Sequence, residues 1–287
     1  VADVARHHDV AGFWAVAGDF FTADPVFHTV PVAAVHRRLN NPQPTDEALV
    51  LLTVVENGEV VAAAVRTPPW ALAVSGVPVE WVDAVVEGLS DVDLPGVNGP
   101  RESAEAFALA WTARHGGSAR EATSLRLYRL GELVPPTDVP GRARVATEDD
   151  AELLVRWYME FVDESTPYDS DEELANTFVR GSLAAGSGHL LWLEGDRPVA
   201  WAGAGRPAAG MSRIGPVYTP EEHRRHGYGA AVTSACARWA SDAGAEHVVL
   251  FTDLANPTSN SIYQRIGFRP VCDAAEFVFT PPAPAPR

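Results

Sequence analysis

Residues 218–231 read Tyr218-Thr219-Pro220-Glu221-Glu222-His223-Arg224-Arg225-His226-Gly227-Tyr228-Gly229-Ala230-Ala231, a basic turn with two arginines just ahead of two spaced glycines. Arginine stays charged near neutral pH, and glycine lacks the Cβ that would keep a bulky anion off the backbone. These residue types suit a phosphate. The elements that must position them are legible on both sides. Ile214 to Tyr218 arrives as an apolar strand, and from Tyr228 to Ala243 the residues Ala231, Val232, Ala235, Cys236 and Trp239 recur at helical spacing, with Gly244 as the stop. A helix N-terminus offers unpaired N–H groups and the positive end of its dipole, so strand, loop and helix together make an anion site. The loop alone reads equally well as a turn with two solvated arginines.

The pattern Arg224-x-x-Gly227-x-Gly229-Ala230 resembles the Arg/Gln-x-x-Gly-x-Gly/Ala loop of the GCN5-related N-acetyltransferases, which cradles the pyrophosphate of acetyl-coenzyme A. Beyond a strand, Val248 to Phe251, the stretch Asn256-Pro257-Thr258-Ser259-Asn260-Ser261-Ile262-Tyr263-Gln264-Arg265-Ile266-Gly267-Phe268 is similar to the family's Asn…Tyr…Gly-Phe element. The resemblance implies acetyl-CoA as co-substrate, no metal, and a cofactor-binding set of Val217, Tyr218, Thr219, Arg224, Arg225, His226, Gly227, Tyr228, Gly229, Ala230, Asn256 and Asn260. Main-chain atoms of Val217 and Thr219 would meet the pantetheine arm, and an N–H near Val217 would hold the developing oxyanion.

The resemblance also places Tyr263 beside the sulfur as the catalytic acid. A phenol with pKa near ~10 is protonated at neutral pH and can protonate a leaving thiolate. From spacing alone, Tyr263 packs beside Ile266 and Phe268. Asn256 before Pro257 reads as a helix cap, and Asn260, one turn on, lies within reach of pantetheine or phosphate. The strand Ser212 to Tyr218 carries no carboxylate, whereas some family members place a glutamate there. Glu160, Asp163, Glu164 and Asp169, or a water chain, are the candidates for general base.

At 287 residues with 46% apolar composition, two domains are expected. No run approaches the ~20 apolar residues of a membrane span, and Val1-Ala2-Asp3 does not open a leader, so a cytoplasmic location is expected. Cys236 and Cys272 suit a reducing compartment, and none of the histidines has metal-ligand spacing. A net charge of −16 argues against nucleic acid and favours a cationic small molecule. All 22 basic residues are arginine, which excludes a Walker-type loop and a pyridoxal-phosphate Schiff base.

Read in order, residues 1 to about 42 form two helices, with His7-His8 in the first and a stop at Asn40-Asn41-Pro42. A hairpin follows, Leu49 to Val55 and Val60 to Val65 around Asn57-Gly58. Then come a helix (Val79 to Leu89), a short strand (Asp93 to Val97), a helix (Glu102 to Arg114) and a strand (Leu125 to Leu130). A similar order returns after the proline-rich linker 132–141: strand Arg142 to Ala146, a helix capped by Thr147 with Asp150, a helix to Ala184, and the hairpin strands Leu190 to Leu193 and Pro198 to Ala204. The fold expected is α/β (α+β): two tandem acetyltransferase-like domains, each a mixed, mostly antiparallel sheet flanked by helices. Residues 1–135 form a degenerate copy, 136–280 the catalytic copy and 281–287 a disordered tail. The first copy's counterpart of the phosphate loop is expected at Gly96 to Ala104, where Pro100 and Glu102 disfavour coenzyme A.

The reading is an acetyl-CoA-dependent N-acetyltransferase acting on a primary amine of a small molecule, by direct attack in a ternary complex, as monomer or homodimer. Its alternative is a non-catalytic acyl-CoA-binding regulatory module; a third reading is a non-catalytic interaction protein. The tandem layout also resembles mycothiol synthase.

Overall fold

The computed structural model describes residues 2–40, 49–165 and 169–282. They build an α/β fold of mixed, mostly antiparallel sheets flanked by helices, in two compact units. The first comprises the chain up to Leu125 and from Cys272 onward; the second is Arg126–Val271. The sequence boundary was set near Pro136, whereas the units divide two long strands. Strand β6 (Ser118–Leu130) contributes Arg126–Leu130 to the second unit, and β12 (Phe268–Thr280) contributes Cys272–Thr280 to the first. The stop at Asn41-Pro42 and the tail from Ala283 lie outside the described residues.

In the first unit β1 (Asp3–Arg6), α1 (Val10–Thr22), α2 (Thr29–Asn40), β2 (Val50–Glu56), β3 (Glu59–Arg66), β4 (Leu72–Gly76), α3 (Val82–Gly88), β5 (Gly96–Pro100) and α4 (Arg101–His115) precede β6. The strand order is β1-β2-β3-β4-β5-β12-β6, with β4 and β5 parallel. The predicted hairpin forms around Asn57 (φ 53°) and Gly58 (φ 86°), the paired positive angles of a type I′ turn. Two helices were expected at the start, but a strand comes first, and His7 continues it by donating its N–H to the Leu51 carbonyl at 2.8 Å. Asp9 then caps α1 by accepting from the Gly12 N–H at 2.7 Å. Strand β4 was missed because its short apolar run follows the Pro68-Pro69 stop. Leu52, Leu72, Val85, Leu89, Phe107 and Trp111 centre one core of this unit.

The second unit continues with β7 (Arg142–Val145), α5 (Ala151–Ser165), α6 (Glu172–Ala184), β8 (Gly188–Glu194), β9 (Arg197–Ala204), β10 (Met211–Tyr218), α7 (Tyr228–Asp242), β11 (His247–Asp253) and α8 (Pro257–Arg265). Its strands run β6-β11-β10-β9-β8-β7, with β10 and β11 parallel and the hairpin strands β8 and β9 antiparallel. The expected cap of α5 is present: Asp150 accepts the Thr147 N–H at 2.8 Å, and both Arg144 terminal nitrogens reach the same carboxylate at 2.8 Å. That guanidinium holds Asp150 below the usual carboxylate range.

Alternation along β9 separates two cores in this unit. Ala200, Ala202 and Ala204 join the cluster containing Val232 and Cys236 of α7, while Trp201 joins Leu154 and Trp157 of α5. The small alanines let α7 approach closely enough for Cys236 Sγ to reach the Ala202 carbonyl at 3.7 Å.

Each unit buries a histidine. His28 Nδ1 lies 3.2 Å from Ser75 Oγ in the first. In the second, Trp201 Nε1 donates to His189 Nδ1 at 3.2 Å, which leaves Nε2–H to donate to Ser182 Oγ at 2.7 Å. Burial pushes each imidazole down to about 4. The unfolded chain, with histidines near ~6.5, binds these protons first as pH falls. Stability is therefore complete above pH ~6.5 and declines towards pH ~4, by up to roughly 3 kcal/mol per ring. Ring NMR signals should stay those of neutral imidazole at pH 5, while urea midpoints drop between pH 7 and 4.5.

Tyr128 of β6 is wholly buried in the second unit. A fragment 126–271 should therefore unfold cooperatively in urea, whereas 139–271, lacking that strand, should aggregate or show no cooperative transition. Equal behaviour of the two would remove β6 from the second core.

Candidate functional site

Strands β10 and β11 are paired from Met211 with His247 to Ile214 with Leu250, and there the ladder stops. Both strands run on, to Tyr218 and Asp253. On its other edge β10 stays on β9, but the register shifts between Ile214 and Val217, so the chain bulges at Gly215-Pro216. Main-chain groups of β10 past Ile214 thus have no strand partner on the β11 side. Val217, the expected oxyanion donor, lies in this stretch and keeps an N–H, which Pro216 lacks.

Where β10 ends, the basic loop begins. Arg224 ties it down by donating Nε–H to the Thr219 carbonyl at 2.9 Å and pairing Nη2 with Glu164 on α5. Arg225 (φ 68°) and Gly227 (φ 82°) both take positive φ, a turn of the kind that gathers N–H groups around an anion. Gly227 caps α7 without a side-chain bond, and the first N–H paired into the helix is that of Ala231, to the Gly227 carbonyl. Among the described residues the N–H groups of Arg225, His226, Gly227, Tyr228, Gly229 and Ala230 have no protein partner.

The two glycines differ in what they do. A Cβ on Gly227 would come within 2.8 Å of Val139 Cγ2 at an already strained φ, whereas one on Gly229 would meet only Thr219 Oγ1 at 3.6 Å. Gly227 is required by the fold; Gly229 is not. Arg225 and His226 are exposed, while the Tyr228 ring is buried in the core, so Tyr228 offers the site its main chain.

Helix α8 starts from the end of β11. Asn256 caps it by accepting the Ser259 N–H at 3.0 Å, with Pro257 in the first turn. Asn260 donates through Nδ2 to the carbonyls of Asp253 and Asn256, both at 2.8 Å, and accepts at Oδ1 from Tyr128 Oη at 2.9 Å. The side chains of both asparagines, assigned to the cofactor from sequence, are therefore engaged within the protein. Tyr263 is 8% exposed and packs edge-on to Phe268, with ring centroids 6.2 Å apart. Its hydroxyl has no hydrogen-bond partner among the described residues, and burial pushes it up to about 12. Tyr128 went unassigned in the sequence; the available signal was a lone tyrosine among the leucines and arginines of its strand.

The Tyr218 side chain, expected at the cofactor, turns instead towards α5. Its hydroxyl lies 3.4 Å from Glu164 Oε1, and burial, with Glu160 and then Glu164 nearby, pushes its pKa up. Of the four candidate bases, Glu164 is paired with Arg224, and Asp163 accepts from Ser170 at 3.0 and 3.1 Å. Asp169 is exposed. Glu160 is half-buried, and among the described residues no cation is paired with it.

In the first unit, the position equivalent to the phosphate loop is the stretch from Gly76 at the end of β4 to Val82 at the start of α3, not Gly96 to Ala104, which joins β5 to α4. This stretch contains Pro78 and Glu80. A Cβ on Gly76 would strike Ala63 O at 2.6 Å, and the Phe21 and Phe20 rings at 2.8 and 3.0 Å.

Among the described residues no helix is long and apolar enough to cross a membrane, and no group of His, Cys, Asp and Glu could hold a metal ion. The model of the acetyltransferase (GNAT) family matches residues 151–268. No curated protein matches the sequence. Among solved structures, the chain is similar to a Drosophila protein, 11% identical over 97% of this chain and 98% of that one, with TM-score 0.68. It is similar to a GCN5-related N-acetyltransferase from Sphaerobacter thermophilus, 17% identical over 96% and 94%, with TM-score 0.59. A tandem GNAT protein from the clavulanic acid biosynthesis pathway is 14% identical over the whole of both chains, with TM-score 0.58. At such identities the structural likeness speaks for the fold, and the family model speaks for the sequence: residues 151–268, from α5 to the first residue of β12, match the GNAT acetyltransferase family.

Proposed function

We propose that the chain transfers an acetyl group from acetyl-CoA to a primary amine of a small molecule, in a ternary complex. The observation that carries this is the conjunction, within one unit, of the unpaired N–H groups before and at the start of α7 with the parted ends of β10 and β11. The loop from Arg225 to Ala230 would hold the pyrophosphate, helped by the α7 dipole and the Arg225 charge. Residues past Ile214 would bond the pantetheine arm, and the Val217 N–H would meet the developing oxyanion. Acetyl-CoA supplies the acyl carbon: the amine nitrogen bonds to it as the C–S bond breaks, the amine gives up a proton and the thiolate takes one.

Tyr263 is the group assigned to the sulfur. Burial raises its pKa to about 12, so the phenol stays protonated at neutral pH and holds its proton more firmly than a free tyrosine does. Its first contribution is therefore a hydrogen bond to the sulfur as charge develops, with the proton following only as the bond breaks. Glu160 is assigned to the amine, since Glu164 is paired with a cation and Asp163 holds Ser170, whereas Glu160 bonds the Tyr218 hydroxyl and is paired with no cation among the described residues. An acidic group here favours an acceptor that arrives as an ammonium ion, in keeping with the net charge of −16. Coenzyme A is not expected in the first unit, where Phe20 and Phe21 crowd Gly76.

The test is a panel of amines with acetyl-CoA, read by release of free thiol. Turnover should depend on one class of primary amine; binding of acetyl-CoA without turnover on any amine would favour the acyl-CoA-binding module instead. Tyr263→Phe keeps the ring and its packing, so acetyl-CoA affinity should change little while kcat falls by about 10²-fold. Wild-type kcat in that variant, with chemistry limiting, would return the acid role to solvent.

The glycines give a second check by calorimetry and thermal melts. Gly229→Ala should be tolerated, with stability equal or higher by up to about 1 kcal/mol from helix propensity. Gly229→Trp should abolish acetyl-CoA binding by filling the anion site. Gly227→Ala should lower stability by about 1–2 kcal/mol, because alanine resists the left-handed conformation and meets Val139. A tryptophan variant that binds like the parent would refute the phosphate-loop assignment.

A further inference from the structure

The wholly buried Tyr128 makes two side-chain hydrogen bonds to α8. Its hydroxyl donates to Asn260 Oδ1 at 2.9 Å and accepts from Gln264 Nε2 at 3.1 Å. Asn260 passes the connection on, through its two bonds to the Asp253 and Asn256 carbonyls. One phenol thus pins two side chains a single turn apart, and through them the end of β11. At 100° per residue, Tyr263 projects about 60° from Asn260, on the same side of the helix, and about 100° from its neighbour Gln264. A nine-residue helix anchored twice on one side resists rolling about its axis. Because the Tyr263 hydroxyl has no protein partner, its direction is set by that roll and by packing on Phe268.

We infer that Tyr128 is a positioning residue for acyl transfer, holding α8 at the rotation that aims the Tyr263 phenol. The inference rests on the acetyltransferase reading and on the role given there to Tyr263. The simpler account is that a buried tyrosine needs partners for its hydroxyl. The two differ in what they predict. A hydroxyl that only satisfies itself affects stability, whereas one that sets the roll of α8 affects the chemical step through Tyr263 and nothing else in the site.

Tyr128→Phe retains the ring and its burial and removes only the pinning oxygen. In the full chain, acetyl-CoA affinity by calorimetry should stay within about twofold while kcat falls about tenfold or more, since small misplacements of a reacting group are costly. In a Tyr263→Phe background the same substitution should change kcat less than about twofold, because the group it positions is gone. Wild-type kcat in Tyr128→Phe, or an equal loss in both backgrounds, overturns the inference. Hydrogen exchange gives a reading that needs no turnover. Amides of Ile262, Tyr263 and Gln264 should exchange about tenfold faster or more in Tyr128→Phe than in the parent, and unchanged exchange overturns the inference whatever the activity. Faster exchange in a protein that turns over no amine would instead fault the acetyltransferase reading and leave the pinning of α8 standing.

Discussion

Two parallel strands that part company inside a protein create a problem of unpaired main chain, and the second unit is arranged around it. Donors and acceptors left without a ladder must find partners, and past Ile214 the β11 edge of β10 has none in the sheet. The bulge against β9 keeps the far edge of β10 attached while the near edge turns away. Because the strands are parallel, both chains leave at the same end of the sheet, and each runs into a helix there: β10 into α7, β11 into α8. Two helix N-termini then flank the gap, as is general for ligand crevices at the carboxyl ends of parallel strands. The gap, the loop ahead of α7 and the start of α8 all lie at this one break in the ladder.

The first unit shows that the order of elements does not by itself make such a site. It too has a parallel pair, β4 and β5, followed by helices. Its loop after β4 holds Pro78 and Glu80 in place of arginine and spaced glycines, and aromatic rings from α1 stand against Gly76. The frame is repeated, but the donors, the charge and the space are not.

What could be read from sequence was what is local. Asn57-Gly58 between β-branched runs, Thr147 with Asp150, and Gly227 ahead of α7 each fix their own few residues of backbone, and each forms as expected. What escaped was set by distant partners. Strand β4 is a short apolar run behind two prolines, and missing it shifted the count of elements by one, which misplaced the first unit's loop. Asn260 looked available to a cofactor because its partner Tyr128 is 132 residues away. Tyr218 looked like a cofactor residue for the same reason, since its hydroxyl finds Glu164 across 54 positions. The ladder's end at Ile214 has no local signature beyond Gly215-Pro216.

The division of β6 and β12 between units bears on how the chain is made. In the first unit the segment from Cys272 to Thr280 lies between β5 and β6, an interior place in the strand order. Translation delivers that segment after every other strand of the two units. While the ribosome is still adding residues, β5 therefore waits with one edge open, and the earliest-made unit is the last to close. Contacts of such long sequence separation slow folding, and an open edge invites pairing with other nascent chains. Of the two units, the one whose first residues come earlier depends on β12 for its completion.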